Sequence, residues 1–349
     1  MKGIGLVFAG GGGKGSYEIG VWKYIHEMGL EQYVRAVSGT SVGALNAALF
    51  VGASYEIAED LWLNIEPGKI LTPKKITLEE LTNWLARNSL KKVNPLKMVA
   101  GFAAAKTMVV AETIAQTMLI KLRADNMFSR EGLISLIEEG INFPLLQGSE
   151  IPCFATCLRC PTMQIERYKL NDYDESDITK LLLASSAIPI VFPNEEFNGE
   201  MYCDGGVPFV GDNIPVQPIY DMGIENIIVV HLGQENILNR EAFPNSRLIE
   251  IVPSEDLGNA LTGTMDFTSS GSEKRIQLGY EDAKRAMQPM LDMILMNAEN
   301  QMILRAAQKR NVEFEEKKEK LKKEETNIKK SMLEDGFQDV YDELMSRGE

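Results

Sequence analysis

The chain has 349 residues, 50 acidic against 36 basic side chains, 44% hydrophobic residues and 7% aromatics, a balance that excludes a disordered or fibrous protein and supplies a sizeable core. Its net charge of -14 excludes a general nucleic-acid binder, since the phosphate backbone selects for clustered Lys and Arg. Four cysteines are too few for a disulfide framework, and the apolar run Ile4 to Ala9 is too short for a signal-peptide core, so a reducing, cytoplasmic setting is expected.

Ile4 to Ala9 reads as a strand, Gly10 to Gly15 as a glycine turn, and Ser16 to Met28 as a helix ending at Gly29. A second apolar run, Val34 to Val37, leads through Ser38 to Ser41 into a helical stretch, Val42 to Val51, which makes a parallel βαβ unit followed by a helix. Thr77 with Glu80 fits a capping box for a helix to about Arg87, Leu96 to Leu122 is long and apolar with sparse charges, and Ser129 is expected to cap a helix to Glu139. Strands follow at Cys153 to Leu158 and Gln164 to Leu170, around Pro161 and Thr162. After the run Leu181 to Ala187 come a proline-flanked loop, a short strand ending at Asp204, and strands at Ile227 to Leu232 and Leu248 to Val252. From Ser272 onward the chain reads as helix. Phe314, Leu321 and Ile328 recur there every seven residues in a Lys/Glu-rich stretch. One apolar residue per heptad makes a thin seam, read as a solvated surface helix, with a homodimerising helix as the alternative.

Two motifs carry chemistry in the first fifty residues. Gly39-Thr40-Ser41-Val42-Gly43 is a GxSxG where strand gives way to helix, the setting of a nucleophile elbow, whose sharp turn leaves no room for side chains two residues before and after the serine. The run Gly10 to Gly15 cannot be a Walker loop, because Phe8 stands at the first glycine position and Gly15 follows Lys14. Gly10, Gly12 and Gly15 do fit a dinucleotide fingerprint, but the second strand ends in Ser38 to Ser41 without the acid that holds a ribose. As an oxyanion loop, the same glycines would offer backbone amides at a helix N-terminus beside Ser41; this reading uses both motifs. His26, late in the first helix, reads as a surface or packing residue; for a base there are His231, whose order after Ser41 and Asp204 matches an α/β-hydrolase triad, and Asp204 itself, opening Asp204-Gly205-Gly206. Cys153, Cys157 and Cys160 read as half-buried strand and turn residues, and no metal is expected.

The glycine loop, the GxSxG and the Asp-Gly-Gly together resemble the patatin-like phospholipases. Ala184-Ser185-Ser186-Ala187-Ile188-Pro189 with Phe192-Pro193 resembles the segment before the family's aspartate, and Asn213 with Pro215 resembles the segment after it. The likeness runs from about Lys2 to Val252, and Ser272 to Met287, with Gly279-Tyr280-Glu281-Asp282, is similar to the closing helix. The family usually carries arginine where this chain has Lys14, which keeps the charge and loses the planar fork.

The resemblance implies a three-layer α/β/α hydrolase with a mainly parallel sheet, cleaving acyl esters of lipids through a Ser41–Asp204 dyad without cofactor or metal. Gly11, Gly12, Gly13 and Val42 would hold the oxyanion, and His231 would not be the base. The expected division is a hydrolase domain over 1–290, with a helical insertion at 71–127, and a charged helical extension over 291–349. Arg87 to Arg123 holds seven basic residues and one acid, so 96–122 is read either as ordinary packing or as a lid meeting lipid peripherally. A dinucleotide-binding domain and a catalytically silent lipid-binding relative are the alternatives.

Overall fold

The computed structural model describes residues 3–65, 130–160, 162–189, 191–234, 238–334 and 336–347. The expected helices at Thr77 to Arg87 and Leu96 to Leu122, the 71–127 insertion with its lid reading, and the cap Ser129 lie outside the described residues. Two compact units are present, Met1–Ala286 and Met287–Glu349.

In the first unit the elements run β1 (Ile4–Phe8), a 3-10 turn (Gly12–Gly15), α1 (Ser16–Glu27), β2 (Val34–Thr40), α2 (Val42–Gly52), α3 (Tyr55–Leu63), α4 (Glu131–Gly140), α5 (Phe143–Gly148), β3 (Cys153–Cys160), β4 (Gln164–Lys169), α6 (Glu175–Ser185), β5 (Glu195–Phe197), β6 (Glu200–Asp204), α7 (Gln217–Asp221), β7 (Asn226–Val230) and β8 (Arg247–Ile251). Helix α8 (Ser269–Glu334) begins there; its part beyond Ala286 and α9 (Phe337–Ser346) belong to the second unit. In that unit Phe314, Leu321 and Ile328 are exposed. No described helix is long and apolar enough to cross a membrane.

The sheet order is β5-β6-β3-β2-β1-β7-β8, with β4 also on β3. Its centre is parallel: β1 pairs with β2 and β7, β2 with β3, and β7 with β8. Continuous apolar runs such as Leu6-Val7-Phe8 and Ile227-Ile228-Val229-Val230 form these central strands because both faces are covered and every position is buried. Val7, Ala36, Ile227 and Val229 turn one face toward Val216, Ile219 and Phe243. Helices α2 and α6 lie on the other face, over β2 and β3, giving the three layers. All eleven residues of α2 are buried, as a helix apolar on every side requires.

The flank of the sheet is antiparallel: β3 pairs with β4 and β6, and β6 with β5. The stretch read as a proline-flanked loop contains β5, whose Glu-Glu-Phe has no strand pattern of its own. It forms because Asn198 and Gly199, both at positive φ, close a tight hairpin with β6. Strand β2 runs three residues further than Val37, to Thr40, because Ser38, Gly39 and Thr40 stay in register with β3.

Candidate active site

One edge of β3 is occupied by β4 from Phe154 to Arg159, so β2 and β6 must share the other. Thr40 pairs with Thr156 and Asp204 with the next residue, Cys157, the first pair parallel and the second antiparallel. The two strands therefore meet C-terminus to C-terminus, and the chain after Thr40 has to leave the sheet. Ser41 makes that exit at φ 57° and ψ -125°, a region that costs a residue with a side chain of order 1–3 kcal/mol. The flanking glycines allow it: a Cβ on Gly39 would fall 2.0 Å from the Gly43 carbonyl oxygen, and one on Gly43 would fall 2.4 Å from that of Phe8.

The Ser41 side chain stands near enough to the Asp204 carboxylate to favour its charged form, and both residues are buried. Gly206 N–H donates to Asp204 Oδ1 at 2.7 Å. Burial raises the Asp204 pKa from 3.8 to about 6, against the lowering effect of Ser41, of the Gly206 hydrogen bond and of the Arg130 charge. Behind the serine, Ser41 N–H donates to Ser185 Oγ at 2.9 Å, and that hydroxyl donates to the Thr156 carbonyl at 2.7 Å. Ser185 thus ties the elbow to β3 at the point where the strands meet.

Since Phe8 is level with Gly39 in the β1–β2 pairing, the glycine loop after β1 emerges beside Ser41. Asn213 holds it there: Gly10 N–H donates to the Asn213 carbonyl at 3.1 Å, and Asn213 Nδ2 donates to the Gly10 carbonyl at 3.2 Å. Gly12, Ser41 and Val42 line one open-mouthed cavity, whose other walls include Leu45, Trp62, Leu133, Ile137, Leu182, Phe192 and Phe267. The Gly11 Cα faces Leu232, and that of Gly13 faces the carbonyl oxygens of Gly263 and Asp266, so of the three expected oxyanion glycines it is Gly12 that stands in the cavity wall. Lys14 reaches toward Gly263, and burial lowers its pKa despite the nearby Asp256.

His231 is buried with Nε2 2.9 Å from Glu250 Oε2. His26 Nδ1 lies 2.9 Å from Glu31. The structure pairs each histidine with a glutamate on its own side of the fold and brings neither to Ser41. Cys153, Cys157, Cys160 and Cys203 are free thiols, the sulfurs of Cys160 and Cys203 lying 3.1 Å apart. Among the described residues no group of three or more His, Cys, Asp or Glu could hold a metal ion.

Two arginines that sequence reasoning passed over are buried around the site. Arg130 Nη1 donates to the Leu183 carbonyl at 2.7 Å, Nη2 to the Pro193 carbonyl, and its guanidinium lies over Phe192; it binds the end of α6 to the loop before β5. Arg275, on α8, contacts Ser16 and Asp266. Beneath the glycine loop, Asn46 Nδ2 donates to Glu18 Oε2 at 2.7 Å and to the Gly15 carbonyl at 3.0 Å, and Trp62 Nε1 donates to Asn46 Oδ1 at 3.0 Å. Complete burial holds the Glu18 pKa well above the usual carboxylate range.

A family model described as patatin-like phospholipase matches residues 6–220. No curated protein matches the chain. Among solved structures, VipD from Legionella pneumophila is 15% identical with a TM-score of 0.49, over 83% of this chain and 67% of that one. The type III effector ExoU, from Pseudomonas aeruginosa, is 18% identical with a TM-score of 0.40, over 83% and 53%. Human GIVD cytosolic phospholipase A2, solved in complex with methyl gamma-linolenyl fluorophosphonate, is 10% identical with a TM-score of 0.36, over 85% and 59%. The chain thus spans two thirds of VipD and about half of ExoU.

Proposed function

The chain belongs to the patatin-like phospholipase family, and on that premise we propose that it is a serine hydrolase cleaving acyl ester bonds of lipids, of the phospholipase A or lysophospholipase type, through Ser41 and Asp204. The observation that carries this reading is the meeting of buried Ser41 and Asp204 where β2 and β6 end against each other on β3, with Ser41 in the wall of a cavity that the described residues line almost wholly with apolar side chains.

Ser41 Oγ attacks the acyl carbonyl carbon while its proton passes to Asp204 Oδ. The oxygen that becomes negative is held by backbone amides of the glycine loop, Gly12 with Gly11 and Gly13, and of Val42. At the start of a helix such amides have no intrahelical acceptor. Asp204 returns the proton to the leaving alcohol, and the acyl chain stays on Ser41 as an ester. Water attacks that ester, gives a proton to Asp204, and the fatty acid departs as Ser41 recovers it. A carboxylate titrating near 6 is ionised at neutral pH yet basic enough to serve, which an exposed aspartate near 3.9 is not. Leu45, Leu133, Ile137 and Leu182 form the surface on which an acyl chain would exchange water for apolar contact.

The alternative of a dinucleotide loop is opposed by the end of β2, where Ser38, Gly39, Thr40 and Ser41 supply no acid to hold a ribose. Treatment with a fluorophosphonate, followed by mass spectrometry of peptides, separates the readings. An adduct on Ser41, absent from Ser41→Ala, with hydrolysis of a short-chain ester, is the expected result. An unlabelled Ser41 with no ester hydrolysis would leave a silent lipid-binding relative.

A further inference from the structure

Glycine gives the loop before α1 its shape but no side chains to hold it, and a flexible oxyanion loop is a poor one, since its donors have to stand 2.7–3.1 Å from the developing charge. The loop is fastened from outside. Ser16 Oγ donates to the Gly13 carbonyl at 3.1 Å, and Arg275 Nε donates to that same hydroxyl oxygen at 2.9 Å. The other two nitrogens of the guanidinium reach one residue: Nη1 is 3.0 Å from Asp266 Oδ2 and Nη2 donates to the Asp266 carbonyl at 2.7 Å. The turn so gripped lies on the loop. A Cβ on Gly12 would fall 2.2 Å from the Thr264 carbonyl oxygen, and one on Gly13 would fall 2.1 Å from that of Asp266. The next residue, Phe267, enters the cavity wall and stacks on Trp62 at 6.3 Å between ring centroids.

Arg275 is buried and comes from 55 residues beyond the end of the family-matched stretch at 220. Helix α8 is fixed against α1 by Tyr17, whose hydroxyl donates to Asp282 Oδ2 at 3.0 Å. Lys14 reaches the same turn with a compact ammonium, which lacks the fixed geometry of a planar fork.

Resting on the hydrolase reading, we propose that Arg275 is a positioning residue that sets the oxyanion loop through Ser16, and that residues 263–275 complete the active site. The guanidinium touches neither substrate nor Ser41; it acts by holding the Gly12 and Gly13 amides in place. A displacement of about 1 Å at such donors lowers turnover by about 10²-fold.

The test uses the full chain and a soluble short-chain ester. Arg275→Met is expected to lower kcat by about 10²-fold with KM within about twofold, because the donors act on the transition state. Ser16→Ala, which removes one hydroxyl and leaves the Arg275–Asp266 pair intact, should lower kcat by about 10-fold, measured below the Tm of the variant so that the chain is folded. The double variant should lose no more than Arg275→Met alone, since both interrupt one link. The rate of fluorophosphonate labelling at Ser41 should fall in parallel. Ser16→Ala with wild-type kcat, losses that multiply in the double variant, or a kcat that falls only with the folded fraction would overturn the proposal while leaving the hydrolase reading intact. A wild-type chain that neither hydrolyses the ester nor takes up the label would instead overturn that reading, and this proposal with it.

Discussion

Asp204→Asn perturbs the site at its most charged point without changing its shape: the amide oxygen can still accept from Gly206 N–H, and the amide nitrogen can donate to Ser41 Oγ. Its effects on catalysis and on stability run in opposite directions. Catalytically the base is lost, and turnover of a soluble ester should fall by about 10² or more. Thermodynamically the folded state gains. The fold raises the Asp204 pKa from 3.8 to about 6, so it favours the protonated acid and binds more protons than the unfolded chain between those values. Below pH 3.8 the group is neutral in both states and the favourable linkage is fully present. As pH rises through about 6 that contribution disappears, to the extent of roughly 3 kcal/mol. The asparagine substitution removes the burden, so urea unfolding should find variant and wild type nearly equal near pH 4 and the variant more stable by up to roughly 3 kcal/mol at pH 8. The wild-type kcat/KM should rise with pH through about 6, where the base ionises. A stability difference that does not change with pH, or a variant with near wild-type turnover, would refute the reasoning.

Ser41→Gly should abolish labelling and turnover yet be more stable than Ser41→Ala by about 1 kcal/mol in urea unfolding, because glycine relieves the positive φ. Gly39→Ala should prevent soluble expression, as its methyl would lie 2.0 Å from the Gly43 carbonyl oxygen and neither backbone can retreat. Arg130→Met should move the acid limb of the wild-type pH profile upward, since Arg130 lowers the Asp204 pKa; a limb that stays in place would show the charge to be screened. His231→Gln should keep turnover within about threefold, because His231 faces Glu250, and a loss approaching that of Asp204→Asn would restore the histidine as base.

The features legible in the sequence were local ones. The strand, glycine turn and helix at the start, and the second strand leading to Gly39-Thr40-Ser41-Val42-Gly43, announce themselves by periodicity and by glycines at fixed offsets. Helix α3 was open to the same kind of reading through its cap Ser54, which accepts from Ile57 N–H, and β5 through Asn198-Gly199, a short hairpin signal. Ser185, Arg130 and Arg275 were not legible in this way. Arg130 and Arg275 look like surface residues until partners 53 and 259 positions away are known, and Ser185 supports Ser41 across 144 residues. Nor does any local pattern say that β2 and β6 meet on one edge of β3, which is what brings Ser41 to Asp204.

The pairing of β1 with β7 bears on how this protein can be divided. Strand β1 leads into the glycine loop and has β2 on one side and β7 on the other, each through five residues, but β7 begins at Asn226, after the family-matched stretch ends at 220. A chain cut at 220 would keep Ser41, Asp204 and all the glycines of the loop and still lose half the hydrogen-bonding partners of the strand that carries them. It would turn an interior strand, apolar on both faces, into a bare edge that invites pairing with other copies. The recognisable signature of the family and the smallest piece of this protein able to stay in solution are therefore different stretches of chain.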